Sequence, residues 1–224
     1  MDTPASTLAV ATPSLPALRA PAGTPAASPP PAPAVADAPR VAAQGFHIDA
    51  SGGSYAMVVE NPGPAAVGVR GEVRFAGASP GQAKVRSFVI PYIAPLGRPG
   101  WAEALPASAA ASPTRMDVML RPLPPGDSSS TAVVVVVTGV TDATPPLATL
   151  LLTNHNAVPV RNAWLSVVAY AADGNVIGGG GRTTPDLAPH LDTQLVVPLP
   201  GVAAPPRVEG FLSFTADTRL GARP

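Results

Sequence analysis

One segment of the sequence has the spacing of a serine nucleophile. Gly77-Ala-Ser79-Pro-Gly81 fits the pattern G-x-S-x-G, and Asp117 and His155 follow it in the order found in serine hydrolases. In those enzymes a helix begins directly after the serine, within a large α/β sheet. In this sequence the motif is followed by a short strand-like run that leads to Pro91. This context does not fit the strand–serine–helix arrangement of a serine hydrolase. We therefore interpret Ser79 as a hairpin residue and expect that Ser79→Ala changes no activity.

A glycine-rich segment resembles a phosphate-binding loop in composition alone. Ile177-Gly-Gly-Gly-Gly-Arg182 lacks the Gly-Lys-Ser/Thr ending of such loops. Pro185 and Pro189 leave no room for the helix whose N-terminus would bind the phosphate. Because glycine inside a strand pattern often marks a bulge, we expect a flexible loop or a β-bulge here.

Metal ligands are few. The histidines are His47, His155 and His190, and cysteine is absent, which excludes disulfides, thiolate metal sites and cysteine nucleophiles. Only His190 has a carboxylate at ligand-like spacing, Asp192, and the related segment in the first half of the chain has no such pair. We therefore predict no metal site, no cofactor and no catalytic residue, and we interpret the chain as a non-enzyme.

Two tryptophans and a run of valines are the candidates for binding a partner. Trp164 is expected in a domain core, so that Trp164→Ala should destabilise more than Trp101→Ala. Trp101 follows Pro99-Gly100; we favour a core position for it too, with exposure as a binding platform as the alternative. The five consecutive valines after Ala132 predict a strand covered on both faces, or else an edge that pairs with a partner chain. The candidate partner-binding residues are Trp101, Val133, Val135 and Val137.

Composition limits the function classes. The net charge is zero and only 12% of the residues are charged, so the clustered basic field of a nucleic-acid-binding protein is not expected. No stretch approaches the roughly 20 apolar residues of a membrane span, and the residues after Met1 lack the features of a signal peptide. With 31 prolines and 21 glycines, long helices are not expected.

Four segments of the sequence recur in the same order, at offsets between 91 and 94 residues. Such conserved order predicts two copies of one domain. The matched segments are Val58–Asn61 with Leu151–Asn154, Ala66–Val73 with Ala157–Trp164, Ile93–Leu96 with Leu187–His190, and Arg115–Leu120 with Arg207–Leu212. The residue pairs expected to superpose are Asn61 with Asn154, Val73 with Trp164, and Pro95 with Pro189.

Short runs of Val, Phe and Tyr between Gly, Pro, Asn and Asp residues predict an all-β chain of two antiparallel β-sandwich domains in tandem. Residues 1–40 have few bulky apolar side chains and are expected to be a disordered Pro/Ala-rich leader. We place the first domain at residues 41–122, a linker at 123–130 and the second domain at 131–219.

The second domain resembles the bacterial FxLYD type of immunoglobulin-like sandwich. The resemblance rests on Asn154, the run Trp164–Tyr170, the turn Asp173-Gly174 and the segment Leu187-Ala-Pro189, and it is weaker in the first domain. It implies two Ig-like domains of a cell-envelope or extracellular module, without implying catalysis.

The expected function is that of a non-enzymatic structural or protein-interaction module of a bacterial cell envelope or extracellular assembly, with a protein partner or self-association. The alternatives are a carbohydrate- or wall-binding accessory domain, which requires exposed aromatic residues, and a component of a virion or appendage. A glycan partner belongs to the first alternative, and no nucleic-acid partner is expected.

Overall fold

Every regular element in the described part of the chain is a β-strand. The computed structural model describes residues 37–49, 52–76, 84–106, 113–126 and 132–214. Strand pairing in these ranges is antiparallel throughout, which confirms the predicted all-β fold. Most of the predicted leader (1–36), part of the predicted linker (127–130) and Ser79 lie outside the described residues.

The first half of the chain forms two three-stranded sheets. Its strands are β1 (Arg40–Asp49), β2 (Gly52–Glu60), β3 (Val67–Ala76), β4 (Lys84–Ile93), β5 (Gly100–Leu105) and β6 (Arg115–Leu123). The sheet orders are β1-β2-β5 and β4-β3-β6. Side chains from both sheets, among them Tyr55, Met57, Val73 and Phe88, form one buried cluster between them.

The second half repeats this topology strand for strand. Its strands are β7 (Val133–Val140), β8 (Leu147–Asn154), β9 (Ala163–Tyr170), β10 (Val176–Thr183), β11 (Asp192–Pro198) and β12 (Arg207–Phe214). The sheet orders are β7-β8-β11 and β10-β9-β12, with a core that includes Leu150, Leu152, Leu165 and Val197. The hairpin predicted at Asp173-Gly174 joins β9 to β10, with Gly174 at a φ of 84°.

Asn61 closes the turn that follows β2. Its side-chain amide donates to the carbonyl oxygens of Ala65 at 2.7 Å and Ala94 at 3.1 Å. Its Oδ1 accepts a hydrogen bond from the Gly63 N–H at 3.2 Å. Asn61 is only 2% exposed, so one buried side chain satisfies backbone groups from two segments.

Asn154 does the same after β8. Its amide donates to the carbonyl oxygens of Val158 at 3.1 Å and Leu187 at 2.9 Å, and its Oδ1 accepts from the Asn156 N–H at 3.0 Å. Each of these partners follows Asn154 by nearly the same number of residues as the corresponding partner follows Asn61. The predicted equivalence of Asn61 and Asn154 is confirmed.

The prolines of the repeat also occupy one turn. The residues that follow them, Leu96 after Pro95 and His190 after Pro189, have left-handed φ values of 57° and 56°. Non-glycine residues rarely adopt this conformation, so its recurrence at matching positions confirms the predicted equivalence of the two prolines.

The predicted equivalence of Val73 and Trp164 is wrong. Val73 is fully buried in the core of the first sandwich. Trp164 alternates with Ala163 and Leu165, which point into the core of the second, and it packs instead against the first. Matching the two segments by residue similarity shifted the strand register by an odd number of residues. Such a shift exchanges the two faces of a strand, so it pairs a residue that points into the core with one that points away from it.

The two sandwiches stack face to face. Sheet β1-β2-β5 packs on sheet β10-β9-β12, so that four sheets lie in the order β4-β3-β6, β1-β2-β5, β10-β9-β12 and β7-β8-β11. A third apolar cluster fills the space between the two middle sheets, and we call this contact the junction. Its buried members are Ala56, Val58, Ala102, Val168, Tyr170 and Val176.

The junction explains why two strands lack the alternation of a half-exposed strand. β2 is buried along almost its whole length, and so is β9. One face of each strand lies in its own sandwich and the other in the junction. β8, which borders solvent on one face, alternates between buried and half-buried residues instead.

Candidate protein-interaction site

Trp101 is a core residue of the first sandwich. Its side chain on β5 is 7% exposed and stacks on Phe88, with ring centroids 5.2 Å apart. On the other side it stacks on Trp164, with centroids 5.4 Å apart and an angle of 16° between the ring planes. The favoured core position of Trp101 is confirmed, and its alternative role as an exposed binding platform is wrong.

Trp164 lies in the junction and not between the sheets of its own sandwich, as the sequence had led us to expect. Its indole N–H donates to the carbonyl oxygen of Ala102 on β5 at 3.2 Å. The hydroxyl of Ser166, also on β9, accepts a hydrogen bond from the Ala102 N–H at 3.1 Å. β5 is an edge strand, so two side chains of the second sandwich bond to its open edge.

The glycine-rich segment is strand β10, with an irregular register between Val176 and Gly178. The predicted bulge is confirmed, whereas a flexible loop is not found. A Cβ at Gly179 would collide with the Val167 carbonyl oxygen and lie 2.9 Å from the Ala102 side chain; one at Gly181 would lie 2.7 Å from the Trp164 ring. The glycines allow the two middle sheets to approach closely.

A buried hydroxyl group completes the junction. Ser54 of β2 is fully buried, and its Oγ donates to the Pro200 carbonyl oxygen at 2.7 Å. The same oxygen accepts a hydrogen bond from the Gly179 N–H at 3.1 Å. The junction therefore combines apolar contact with satisfied polar groups, as in the interior of a single domain.

Asp117 and His155, which follow the G-x-S-x-G motif in hydrolase order, lie in different sandwiches of the described residues. Asp117 lies on β6 of the first sandwich and accepts a hydrogen bond from Arg115 at 2.8 Å, whereas His155 follows β8 of the second. Asp192 accepts a hydrogen bond from Thr153 at 2.6 Å. No three His, Asp or Glu side chains among residues 37–49, 52–76, 84–106, 113–126 and 132–214 are grouped so that they could hold a metal ion.

Two grooves open at one end of the junction beside His47, with volumes of about 530 and 630 Å³. Besides His47, both are lined by Gly201, Val202 and Ala203. Asp142 and four small or proline residues that follow it line the larger groove. A ligand site needs several polar groups that point toward the ligand. The linings of these two grooves contain few such groups.

Two tyrosines have raised pKa values, and hydrogen bonds from Asn175 lower the pKa of the exposed Asp173 carboxyl. Burial, reinforced by the hydrogen bond of 2.6 Å to Glu103, raises the pKa of Tyr55 well above its ordinary value. Burial and a hydrogen bond of 2.8 Å to Glu209 likewise raise the pKa of Tyr170 to about 12. Both shifts keep the phenol protonated, so these groups act as hydrogen-bond donors rather than as acid–base catalysts near neutral pH.

Strand β7 does not have the two covered faces that its valines predicted. Val133 is 9% exposed, and Val135 and Val137 pack against the core of the second sandwich. Val134 and Val136 point to the other face and are 46% and 49% exposed. The candidate residues Val133, Val135 and Val137 therefore point their side chains toward the core, Val133 buried and the other two half-buried, and the exposed pair is Val134 and Val136.

The backbone of β7 has one open edge. β8 pairs with β7 on one side, and no other strand in the described ranges pairs with it. The His155 N–H bonds to the Ala132 carbonyl oxygen at 2.9 Å, in register with the β7–β8 ladder. Because antiparallel pairs alternate, the backbone groups of Val133, Val135 and Val137 point away from β8, to the open edge.

Apolar side chains also lie on the outer surface of this sheet. Val134 and Val136 of β7, Leu151 of β8 and Val196 of β11 share one face, according to the strand register. Val196 is 40% exposed and Leu151 is half-buried. We call these four residues the valine face; together with the open edge of β7 it forms the candidate interaction site. The valine face lacks a clear signal in the sequence, because alternation is invisible in a run of identical residues.

Comparison with known proteins identifies no family. No protein-family model and no curated protein matches the chain. Among solved structures, the chain is similar to red sea bream transglutaminase, with 12% identity and a TM-score of 0.23. The match covers 72% of this chain and 28% of the transglutaminase chain, so the chain spans little more than a quarter of that protein. A TM-score of this size supports no conclusion about fold or activity. In the described residues no helix is long and apolar enough to cross a membrane.

Proposed function

We propose that this chain is a non-enzymatic structural or protein-interaction module of a bacterial cell envelope or extracellular assembly. In this proposal the two sandwiches act as one rigid block and the Pro-rich residues 1–36 connect it to its surroundings. The assignment to the Ig-like FxLYD type is part of the same proposal.

The main support for the proposal is that the aromatic side chains serve packing inside the protein. The chain has five Phe, three Tyr and two Trp residues, and each of the ten is buried or half-buried. Tyr55, Phe88, Trp101 and Trp164 hold the first sandwich together and join it to the second. The large side chains thus serve packing, and the distinctive exposed features are a strand edge and an aliphatic face. Such surfaces suit contact with proteins.

The same observation speaks against the carbohydrate-binding alternative. A glycan platform presents aromatic rings to solvent, and no aromatic side chain of this chain is classed as exposed. A structural component of a virion or appendage remains a form of the proposed class, because it would use the same rigid block.

Fractionation of the cells that produce the chain naturally tests the proposal. We expect the chain in the envelope or the medium, and in a larger cross-linked assembly. A variant with the conservative change Val85→Ala, at an exposed valine outside the candidate interaction site, serves as a reference for expression and folding. Recovery of the chain as a free monomer in the cytosol, or specific labelling by an active-site-directed probe, would contradict the proposal.

A further inference from the structure

Among the edge strands of the four described sheets, β7 is the one that lacks the usual protection against pairing. Natural sheets protect exposed edges with charged residues or prolines, which disfavour pairing with another chain. β7 has the sequence VVVVVTGV and carries neither. Every other edge strand of the four described sheets contains at least one charged residue: Arg40 in β1, Lys84 in β4, Glu103 in β5, Arg115 in β6, Arg182 in β10, Asp192 in β11 and Arg207 in β12.

The open edge of β7 has regular hydrogen-bonding groups. The backbone N–H and C=O groups of Val133, Val135 and Val137 point outward at alternate positions, as a partner strand requires. Their side chains are held in the core, which fixes the backbone in the extended conformation before a partner arrives. Pairing would therefore cost little ordering entropy in this strand.

We propose that β7 pairs with β7 of a second copy of this chain, antiparallel, about a twofold axis that passes through Val135. This pairing names a partner for the interaction module and rests on that proposed function. Val133 lies opposite Val137 of the second copy, and Val135 lies opposite its own equivalent. These three pairs form about six backbone hydrogen bonds, two for each pair.

The occupant is a second copy because the edge is complementary to itself. A twofold axis at Val135 exchanges valine for valine at every paired position from 133 to 137. No like charges meet, although like charges opposite each other destabilise a strand pair. The chain as a whole is also neutral, so no long-range repulsion opposes the approach of two copies.

The pairing also extends the valine face. Val134 lies opposite Val136 of the second copy, on the outer surface of the sheet, so the exposed valines of the two copies come into contact. The two three-stranded sheets become one sheet that continues across the axis. This register predicts that Val134 of one copy lies directly opposite Val136 of the other copy, and not opposite the other copy's Val134.

Cysteine cross-linking tests this register directly, because the chain has no cysteine of its own. Directly opposed residues of a non-hydrogen-bonded pair have Cα atoms about 4.5 Å apart, within disulfide range. We expect that mixing full-length Val134→Cys protein with full-length Val136→Cys protein gives a disulfide heterodimer on mild oxidation. Each variant alone should cross-link at least about tenfold less, because residues in diagonal positions are about 7–8 Å apart.

A mixture of Val134→Cys and Val196→Cys proteins is the matched control, because Val196 lies on the same face but on β11. Equal cross-linking in this control, or equal cross-linking of Val134→Cys alone, would overturn the pairing of β7. Absence of the heterodimer at protein concentrations where the unmodified chain is dimeric would overturn it as well.

Charge substitution supplies the second arm, read by sedimentation equilibrium of the full chain. The double variant Val134→Lys/Val136→Lys places two lysine pairs across the axis and should raise the dissociation constant of the dimer at least about tenfold. The control Val85→Lys/Met119→Lys adds the same charge at two exposed apolar residues of the first sandwich, outside the valine face, and should change it less than about threefold. Circular dichroism verifies that both variants are folded.

The two proposals fail separately. A chain that is monomeric at all concentrations refutes the pairing but leaves the envelope fractionation result unaffected. A dimer that tolerates lysines at 134 and 136 but not at 85 and 119 also refutes it, because the contact would then lie elsewhere. Recovery of the chain from the cytosol contradicts the proposed function, whatever the oligomeric state.

Discussion

Replacing Trp164 with alanine tests whether an aromatic contact holds the two sandwiches together. The substitution removes the ring that stacks on Trp101 at 5.4 Å and the N–H donor to Ala102 at 3.2 Å. Truncation of a buried Trp costs about 3–5 kcal/mol, and the half-buried ring of Trp164 should cost less. The lost stacking contributes about 0.5–1.5 kcal/mol and the lost hydrogen bond a similar amount. We expect a loss of about 2–4 kcal/mol in the free energy of unfolding.

Trp101→Ala should cost more, about 3–5 kcal/mol, because Trp101 is 7% exposed and stacks on two rings. This order is the reverse of the order that the sequence predicted. Urea unfolding followed by circular dichroism measures both losses without depending on a tryptophan signal. Trp164→Phe is the control: it keeps a ring beside Trp101 but removes the N–H donor and part of the indole ring system, so it should cost less than Trp164→Ala, about 1–2 kcal/mol.

Fluorescence gives an independent result for the same variant. The chain has two tryptophans, so Trp101 is the sole tryptophan emitter in Trp164→Ala. Loss of the covering ring should shift its emission to longer wavelength and make it accessible to acrylamide. A stability loss below about 0.5 kcal/mol, the usual range of surface substitutions, together with unshifted emission would refute the structural role assigned to Trp164.

Three further outcomes follow from the junction, the repeat and a tyrosine. Gly179→Ala should destabilise the chain by more than about 2 kcal/mol in urea unfolding, whereas Gly139→Ala should be nearly neutral, because a Cβ there meets nothing within 4 Å. Asn61→Ala and Asn154→Ala should each cost about 1–3 kcal/mol by the same measurement, since each leaves buried backbone groups unpaired; a loss at one site only would contradict their equivalence. The pKa of Tyr170 rises on folding from 10.0 to about 12, so the contribution of Tyr170 to stability should be constant below pH 10 and be lost as the pH rises toward 12; Tyr170→Phe should make the alkaline loss of stability less steep in unfolding curves, with the part due to Tyr55 left in place.

The repeat could be predicted from the sequence at positions whose structural role few other residue types can serve. Asn61 and Asn154 satisfy backbone groups of two segments, and Pro95 and Pro189 precede a left-handed residue. Asparagine and proline favour turns at their own position, whatever else they contact, so the residue type indicates the local structure. These equivalences were predictable without knowledge of how the sheets pack.

The roles of Trp164 and of the β7 valines were not predictable in the same way. A large apolar residue in a strand indicates burial, but it does not indicate which of two faces is buried against which neighbour. β9 is covered on both faces because the first sandwich lies on its outer face, and that contact joins residues far apart in the chain. In β7 every residue from 133 to 137 is identical, so only the register with β8 determines which valines are exposed.

The hydrogen bonds that join the Ala102 backbone to the side chains of Trp164 and Ser166 have a consequence during synthesis. The first sandwich is complete once β6 has left the ribosome, but its β5 edge stays open until β9 emerges, some 40 residues later. At roughly 5–20 residues per second, that delay amounts to a few seconds. During this interval the apolar outer surface around Ala56 and Val58 is exposed to other nascent chains. A first half released early, through truncation or a stalled ribosome, would therefore keep this apolar surface exposed. We expect such a fragment to be bound by chaperones rather than to function on its own.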